Sequence, residues 1–329
     1  MKKILITGAT GFLGKYLVEE FKANDYYVFA LGRNESVGKE LECSSVKFVK
    51  CDLNNKNKIH DVVSISDGII HAAALSTVWG KWDDFYEANV IGTKNIAETC
   101  LKNNKRLVYV SSPSVYTEAM DRYNILEEDY DKSNELNYYI KSKILSEDIV
   151  NENIRKGLDA TIIRPRGLFG IGDTSLIPRI LRVNSKIGVP LVNNGKNVVD
   201  ITCVENVAYA LRLCFESENT TGKTYNISNG EPTEFKKILE NMMQEIGMKP
   251  KYLKISRKNI YRLSNLLEKI YRTFHLKGEP PLTNYTAITL SYSQTLNIDK
   301  ARNDFGYIPI MSLKEGIEKY ARDYRQYVH

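Results

Sequence analysis

Lys3-Ile4-Leu5-Ile6-Thr7-Gly8-Ala9-Thr10-Gly11-Phe12-Leu13-Gly14 is the stretch that decides the fold class. Lys3 to Thr7 is a short apolar, β-branched run suited to a buried parallel strand, and Phe12 to Phe21 carries apolar residues at helical spacing. The glycines therefore fall on a strand-to-helix turn. Gly8 permits the tight turn, Gly11 lets the backbone approach a pyrophosphate, and Gly14 lets helix and strand pack closely. The helix N-terminus then offers its free N–H groups to the anion, so a dinucleotide site is expected, with Thr10, Phe12 and Leu13 completing the loop. A secretory leader is the rival reading of Met1-Lys2-Lys3 and the apolar run behind it. Glycines and Lys15 break that run and no small-residue cleavage site closes it, so a mature start is expected.

Working outward, apolar runs at Tyr27 to Leu31, Val46 to Val49, Gly68 to Ala73, Leu107 to Ser111 and Ala160 to Ile163 read as strands. Helical patterns lie between them, most clearly at Trp82 to Leu101 and Leu136 to Ile154. Such alternation predicts an α/β fold with a doubly wound parallel sheet of the Rossmann type. After Arg164-Pro165 the pattern loosens into Gly/Pro/Asn-rich stretches, and Val204 to Ser228 reads as a return to the sheet. The expected organisation is a nucleotide-binding domain over 1–165 joined by 200–228. A smaller, mainly helical substrate lobe is expected over 166–199 and 229–329.

Composition suits an ordinary soluble globular chain: 43% hydrophobic and 26% charged residues in 329, long enough for one large core and a second lobe. The net charge of +6 is unevenly placed. Lys251, Lys254, Arg257, Lys258, Arg262, Lys269, Arg272 and Lys277 face only Glu268 within 251–278, so the remainder is close to neutral. That argues against a general nucleic-acid footprint. Cys43, Cys51, Cys100, Cys203 and Cys214 are scattered, with no C-x-x-C pair, which fits free thiols in a reducing cytoplasm. No apolar run approaches the roughly 18 residues of a membrane-spanning helix. His60, His71, His275 and His329 lack ligand spacing, so no metal is expected.

The end of the second strand bears on the cofactor. An acid there would bind the adenosine ribose hydroxyls, whereas an arginine would hold a 2′-phosphate. Gly32 occupies the acidic position and Arg33 follows, favouring NADP(H) over NAD(H). Asp52, after the third strand, is placed to bond the adenine amino group, with Leu53 beside it.

Hydride transfer to a carbonyl needs a proton donor at the developing alkoxide, more acidic than free tyrosine at about 10. A lysine four residues on along a helix shares the tyrosine's face and favours its phenolate. Tyr139 and Lys143 meet that spacing; Tyr138 finds Ser142 instead. Ser111-Ser112 closes a buried strand at the sheet edge where α/β ligands bind.

These elements, with His71-Ala72-Ala73-Ala74, Asn89-Val90-x-Gly92-Thr93-x-Asn95, Ser111-Ser112-x-Ser114-Val115-Tyr116 and Arg164-Pro165, resemble the extended short-chain dehydrogenases/reductases over nearly the whole chain. The resemblance implies Ser112 as the hydroxyl orienting the substrate oxygen, Tyr139 as acid/base, Lys143 as ribose anchor, and Asn89 as the helix asparagine near the active site. It further implies cofactor contacts from Ala72, Ala73, Ala74 and Pro165, and makes a homodimer a candidate state. His71 reads as a satisfied strand-end residue rather than a catalyst.

Sugar-nucleotide epimerases and dehydratases of this superfamily typically carry an asparagine where Gly167 stands. The run Arg164 to Gly170, with Gly172-Asp173-Thr174 and Trp79-Gly80, is more similar to the 3β-hydroxysteroid dehydrogenase-like branch, which includes reductases of 2-alkyl-3-ketoacids. Ser76, Trp79, Arg166 and Gly167 join Ser112 and Tyr139 as candidate substrate residues. The resemblance implies interconversion of a ketone and a secondary alcohol on a hydrophobic, steroid-like or β-keto acyl substrate. A nucleotide-sugar epimerase or dehydratase and a non-catalytic NADP sensor are the alternatives.

From Ile260, Leu263, Leu266, Leu267, Ile270, Tyr271 and Phe274 recur at helical spacing with the basic residues largely elsewhere. Such a helix suits a lipophilic pocket lining, and 257–277 is a candidate for peripheral contact with an anionic membrane or an acidic carrier. A packed helix with a solvated basic face is the plainer reading.

Overall fold

The computed structural model describes residues 1–328; His329 lies outside the described residues. Seven parallel strands form the main sheet, in the order Thr224–Ile227, Ala160–Pro165, Arg106–Val110, Gly68–His71, Lys3–Thr7, Tyr27–Gly32, Val46–Lys50. The chain winds outward in both directions from Lys3–Thr7, which pairs with Tyr27–Gly32 on one side and Gly68–His71 on the other. This is the doubly wound arrangement, and its switch point lies where the carboxyl ends of Lys3–Thr7 and Gly68–His71 part.

Alternation along the strands sends side chains to two cores. Ile4, Ile6, Val28 and Ala30 pack under Leu17, Val18 and Phe21 of the Phe12–Ala23 helix and under Leu211 and Phe215 of Val204–Glu216. Leu5, Phe29 and Leu31 face the opposite layer of Ile59, Val63, Ile96 and Ala97. Each such side chain, fully buried, contributes roughly 1.5–3 kcal/mol. The sheet is thus held from both faces.

The second lobe has its own core, in which Phe169, Ile177, Val199, Ile238, Met242 and Ile317 meet. A four-stranded sheet also runs through it, ordered Thr233–Glu234, Val198–Val199, Gln294–Leu296, Arg122–Ile125. Arg122–Ile125 comes from the chain's first half, so the two lobes are stitched together by backbone pairing. The segment Trp82 to Lys102 is helical throughout, but Tyr86–Ile91 forms a π-turn between α-helical ends Trp82–Phe85 and Gly92–Lys102. The regular helix expected there therefore holds a wider turn, which carries Asn89.

Among the described residues no helix is long and apolar enough to cross a membrane, and no cluster of His, Cys, Asp or Glu is arranged to hold a metal ion. All five cysteines are free thiols.

Candidate active site

A single cavity of about 1300 Å³ runs from the switch point into the second lobe. Gly8, Thr10, Gly11, Phe12, Leu13, Gly14, Arg33, Asp52, Leu53, Ala72, Ala73 and Ala74 line one end. Ser76, Ser112, Tyr139, Lys143, Pro165, Arg166 and Gly167 line the middle. Ile180, Val183, Ile260, Leu263, Leu267 and Leu290 make the far end apolar.

At the first end the backbone itself forms a cradle. Gly8 takes φ +71°, and a Cβ there would stand 2.7 Å from the Ala73 Cα; at Gly14 it would stand 2.0 Å from the Gly8 carbonyl oxygen. Any side chain would push the loop from the strand end, so these glycines fit a close-bound pyrophosphate at the helix start. Arg33 is 76% exposed in its side chain, with Nη1 3.9 Å from Asp52 Oδ2, free to turn toward a ligand.

Asn137 caps the Tyr138–Arg155 helix by accepting from the Ile140 N–H at 2.8 Å, which fixes where its first turn points. Tyr139 turns into the cavity, half-buried, whereas Tyr138 is 46% exposed and packs on Trp82. Burial pushes Tyr139 up to about 12, against the opposing pull of the neighbouring Ser112 hydroxyl. Lys143, 2% exposed, donates to the Val110 carbonyl at 2.9 Å and to Tyr109 Oη at 3.3 Å, and desolvation lowers it to about 8. The Lys143 ammonium is thus held by the Arg106–Val110 strand, and it is the Ser112 hydroxyl that opposes the effect of burial on Tyr139.

Ser112 and Ser111 part company. Ser112 Oγ lines the cavity and accepts from the Ser114 N–H at 3.2 Å. Ser111 also lines the cavity, but its Oγ is committed to Glu147, to which it donates at 2.5 Å.

Two expected site residues lie elsewhere. Asn89 is buried away from the cavity: Oδ1 accepts from Leu75 N–H at 2.7 Å, and Nδ2 donates to the Leu75 carbonyl at 3.1 Å and Ser142 Oγ at 2.9 Å. With its amide committed on both sides, it ties the loop after Gly68–His71 to the helix that carries Tyr139 and Lys143. Trp79 turns outward onto the second lobe, edge-on to Tyr271 and under the Arg272 guanidinium. His71 is buried between Thr7 Oγ1 at 2.6 Å and Thr93 Oγ1 at 3.1 Å, and burial lowers it to about 3, which keeps it neutral.

The basic helix Arg257–Thr273 turns Ile260, Leu263 and Leu267 to the cavity, but Leu266 is 56% exposed and neither it nor Ile270 lines the chamber. Leu266 stands off the three-to-four residue stripe that runs from Ile260 through Leu263 and Leu267, whereas Ile270 lies on that stripe but one turn further along, beyond the chamber.

Sequence reasoning missed Asp200 and Tyr285, both at the cavity wall. A lone acid inside Val198-Val199-Asp200-Ile201 was a usable signal for Asp200. Tyr285 had none.

Comparison with known proteins follows the same lines. Residues 4–228 match the model of the NAD dependent epimerase/dehydratase family. A 2-alkyl-3-oxoalkanoate reductase from Stenotrophomonas maltophilia is 32% identical over 96% of this chain and 98% of its own. The human sterol-4-alpha-carboxylate 3-dehydrogenase, decarboxylating, is 29% identical over 98% and 88%. In fold, the UDP-glucuronic acid 4-epimerase of Bacillus cereus superposes with a TM-score of 0.78 at 19% identity, covering 98% and 99% of the two chains.

Proposed function

The chain belongs to the NAD dependent epimerase/dehydratase family and is an NAD(P)-dependent oxidoreductase of the extended short-chain dehydrogenase/reductase type; within it, we propose an NADP(H)-dependent enzyme that interconverts a hydrophobic ketone and its secondary alcohol. The observation that carries this reading is the continuity of one cavity from the glycine cradle, past Ser112 and Tyr139, into an apolar chamber. A polar sugar diphosphate finds few partners among Ile180, Val183, Ile260 and Leu263, whereas an alkyl or ring system is buried there favourably. The relatives' names, an oxoalkanoate reductase and a sterol carboxylate dehydrogenase, support the same substrate class.

Bound nicotinamide supplies or accepts the hydride. The chain's own residues manage the oxygen: Ser112 Oγ donates to the carbonyl oxygen and orients it, and Tyr139 Oη delivers the proton as negative charge develops. Lys143 anchors the ribose end of the site and, once drawn away from Val110 and Tyr109, lends its charge to Tyr139. Arg33 beside Gly32 favours the 2′-phosphate of NADP(H). At the chamber mouth, Ile187, Leu253 and Leu263 line the cavity while standing open to solvent, an entry suited to a lipophilic molecule.

The test is loss of NADPH absorbance with a homologous ketone series, assayed beside UDP-glucose. We expect kcat/KM to climb by up to about fourfold, ~0.8 kcal/mol, for each buried methylene until the chamber fills. No dependence on chain length combined with turnover of the sugar nucleotide would reject the lipophilic reading for an epimerase-like one.

A further inference from the structure

We propose that the rim of the apolar chamber is a docking face for an anionic lipid surface, set so that a lipophilic molecule passes from bilayer to cavity without entering water. Its purpose rests on the substrate reading above; its geometry stands apart from it. The helix Arg257–Thr273 has 17 residues, yet only Ile260 and Ser264 of them are buried. Most of its surface is therefore left over for something other than the core of this chain.

The rim is a closed ring. Leu176–Lys186 ends at Ile187, and just beyond it the Val189 N–H donates to the Lys251 carbonyl at 2.8 Å, which starts the pairing of Val189–Leu191 with Tyr252–Lys254. Tyr252–Lys254 leads into Arg257–Thr273, and Glu279 beyond that helix ion-pairs with Arg179 of the first one. Three sides of the ring carry apolar lining out of the chamber: Ile187, Leu253 and Leu263 line it and are exposed, Ile187 by 70%. Outside the cavity Leu266 and Phe274, the latter also 70% exposed, extend the same apolar surface.

Cations stand beside that surface. Arg262 and Lys269 lie four residues before and three after Leu266, which makes them its neighbours on the helix, and Lys258 continues their row. Arg182 and Lys186 are exposed on Leu176–Lys186, and Lys254 follows Leu253. None of these six forms an ion pair among the described residues, whereas the nearby Arg179, Arg257 and Arg272 each meet an acid. Within 251–278 the one acid, Glu268, is spent on the Asn284 N–H and on Arg272. Unpaired cations around exposed aliphatic and aromatic side chains match headgroup phosphates above hydrocarbon: the charges meet the phosphates and the apolar residues enter the acyl boundary. An acidic carrier protein would answer the charge alone.

The test is co-sedimentation of the whole NADPH-loaded protein with vesicles of phosphatidylcholine, alone or with about 30% phosphatidylglycerol. We expect binding to be at least ~tenfold tighter to the anionic vesicles, and to be lost in about 0.5 M NaCl as the headgroup field is screened. Lys258→Gln, Arg262→Gln and Lys269→Gln combined should weaken it by about 10²-fold. Leu266→Ser with Phe274→Ser should weaken it by about tenfold at unchanged charge. These side chains are exposed and outside the cavity, so both variants should keep NADPH affinity and the reduction of hexan-2-one in buffer. Dodecan-2-one carried in the anionic vesicles should be reduced about tenfold faster than in the neutral ones, in step with binding, and neither variant should show that gain. Binding that is no stronger to anionic vesicles, or that survives the triple replacement, would overturn the assignment. Binding that follows charge but ignores Leu266 and Phe274 would give the patch to a dissolved acidic partner and overturn it as well. If neither ketone is reduced in buffer, the substrate reading falls, and co-sedimentation alone decides the docking face.

Discussion

Glu147 holds Arg164 in a two-point ion pair from which water is excluded: Arg164 Nε lies 2.8 Å from one carboxylate oxygen and Nη2 2.5 Å from the other, with the side chains 2% and 1% exposed. Glu147 sits one helical turn after Lys143, and Arg164 two residues before Arg166. The same arginine donates to Tyr116 Oη and the Glu127 carbonyl, while Glu147 accepts from Ser111. The helix that carries Tyr139 and the strand ends that carry Ser112 and Arg166 are therefore registered to one another through a single buried pair.

Removing one partner leaves the other's charge stranded. Glu147→Gln should lose about 3–5 kcal/mol of stability in urea denaturation, and the double replacement Glu147→Met with Arg164→Met should recover much of it, since no buried charge remains. Additive losses would mean that the two residues stabilise the fold independently.

Tyr139→Phe keeps the ring and deletes the proton to be transferred, so turnover should fall by roughly 10²–10⁴ with NADPH affinity nearly unchanged. Tyr138→Phe changes a surface ring against Trp82 and should be close to neutral. A greater loss at Tyr138 would reverse the assignment of the acid.

Arg33→Ala should weaken NADPH binding by about one to two decades, the worth of a charged hydrogen bond of roughly 1.5–3 kcal/mol, while NADH affinity barely moves. The gap between the two cofactors should narrow as salt is raised, because Arg33 is exposed and its field is screened. Equal weakening of both would make the arginine structural.

Burial strains Lys143. Its folded value, about 8, lies below the ordinary 10.5, so the folded state disfavours the charged form. That penalty is fully present below pH 8 and disappears as pH rises toward the unfolded value, where both states are neutral. Lys143→Met should accordingly raise the stability of cofactor-free protein by on the order of 3 kcal/mol at pH 7, with a shrinking difference between pH 8 and 10. A pH-independent difference, or a less stable variant at pH 7, would refute the account.

Much of the first half was legible because its signals are local. The Lys3–Thr7 strand, the glycine cradle and the Tyr139 frame each depend on periodicity or on spacing within a few residues. Asn89 and Trp79 were associated with the site by motif, yet a motif does not say which way a side chain turns. The π-turn sent the Asn89 amide to Leu75, and the second lobe drew Trp79 onto Arg272. Asp200 and Tyr285 reach the cavity from segments far along the chain, through folding of the second lobe, and no local pattern announces that. On the basic helix the hydrophobic period was visible, but only packing distinguishes cavity-lining Leu263 from exposed Leu266.

The strand Thr224–Ile227 caps the sheet beside Ala160–Pro165, and it is fastened from further on, where Asp304 accepts from Lys223 Nζ at 2.8 Å and from Tyr225 Oη at 2.7 Å. On the ribosome, Ala160–Pro165 therefore emerges long before its outer neighbour and presents a row of unpaired backbone groups flanked by apolar side chains. A fragment ending at Pro165 would keep the glycine loop but carry that bare edge permanently, a ready template for strand-to-strand aggregation. The sheet consequently gains its outer strand only after synthesis has passed Ile227, and its edge is secured only once Asp304 has followed.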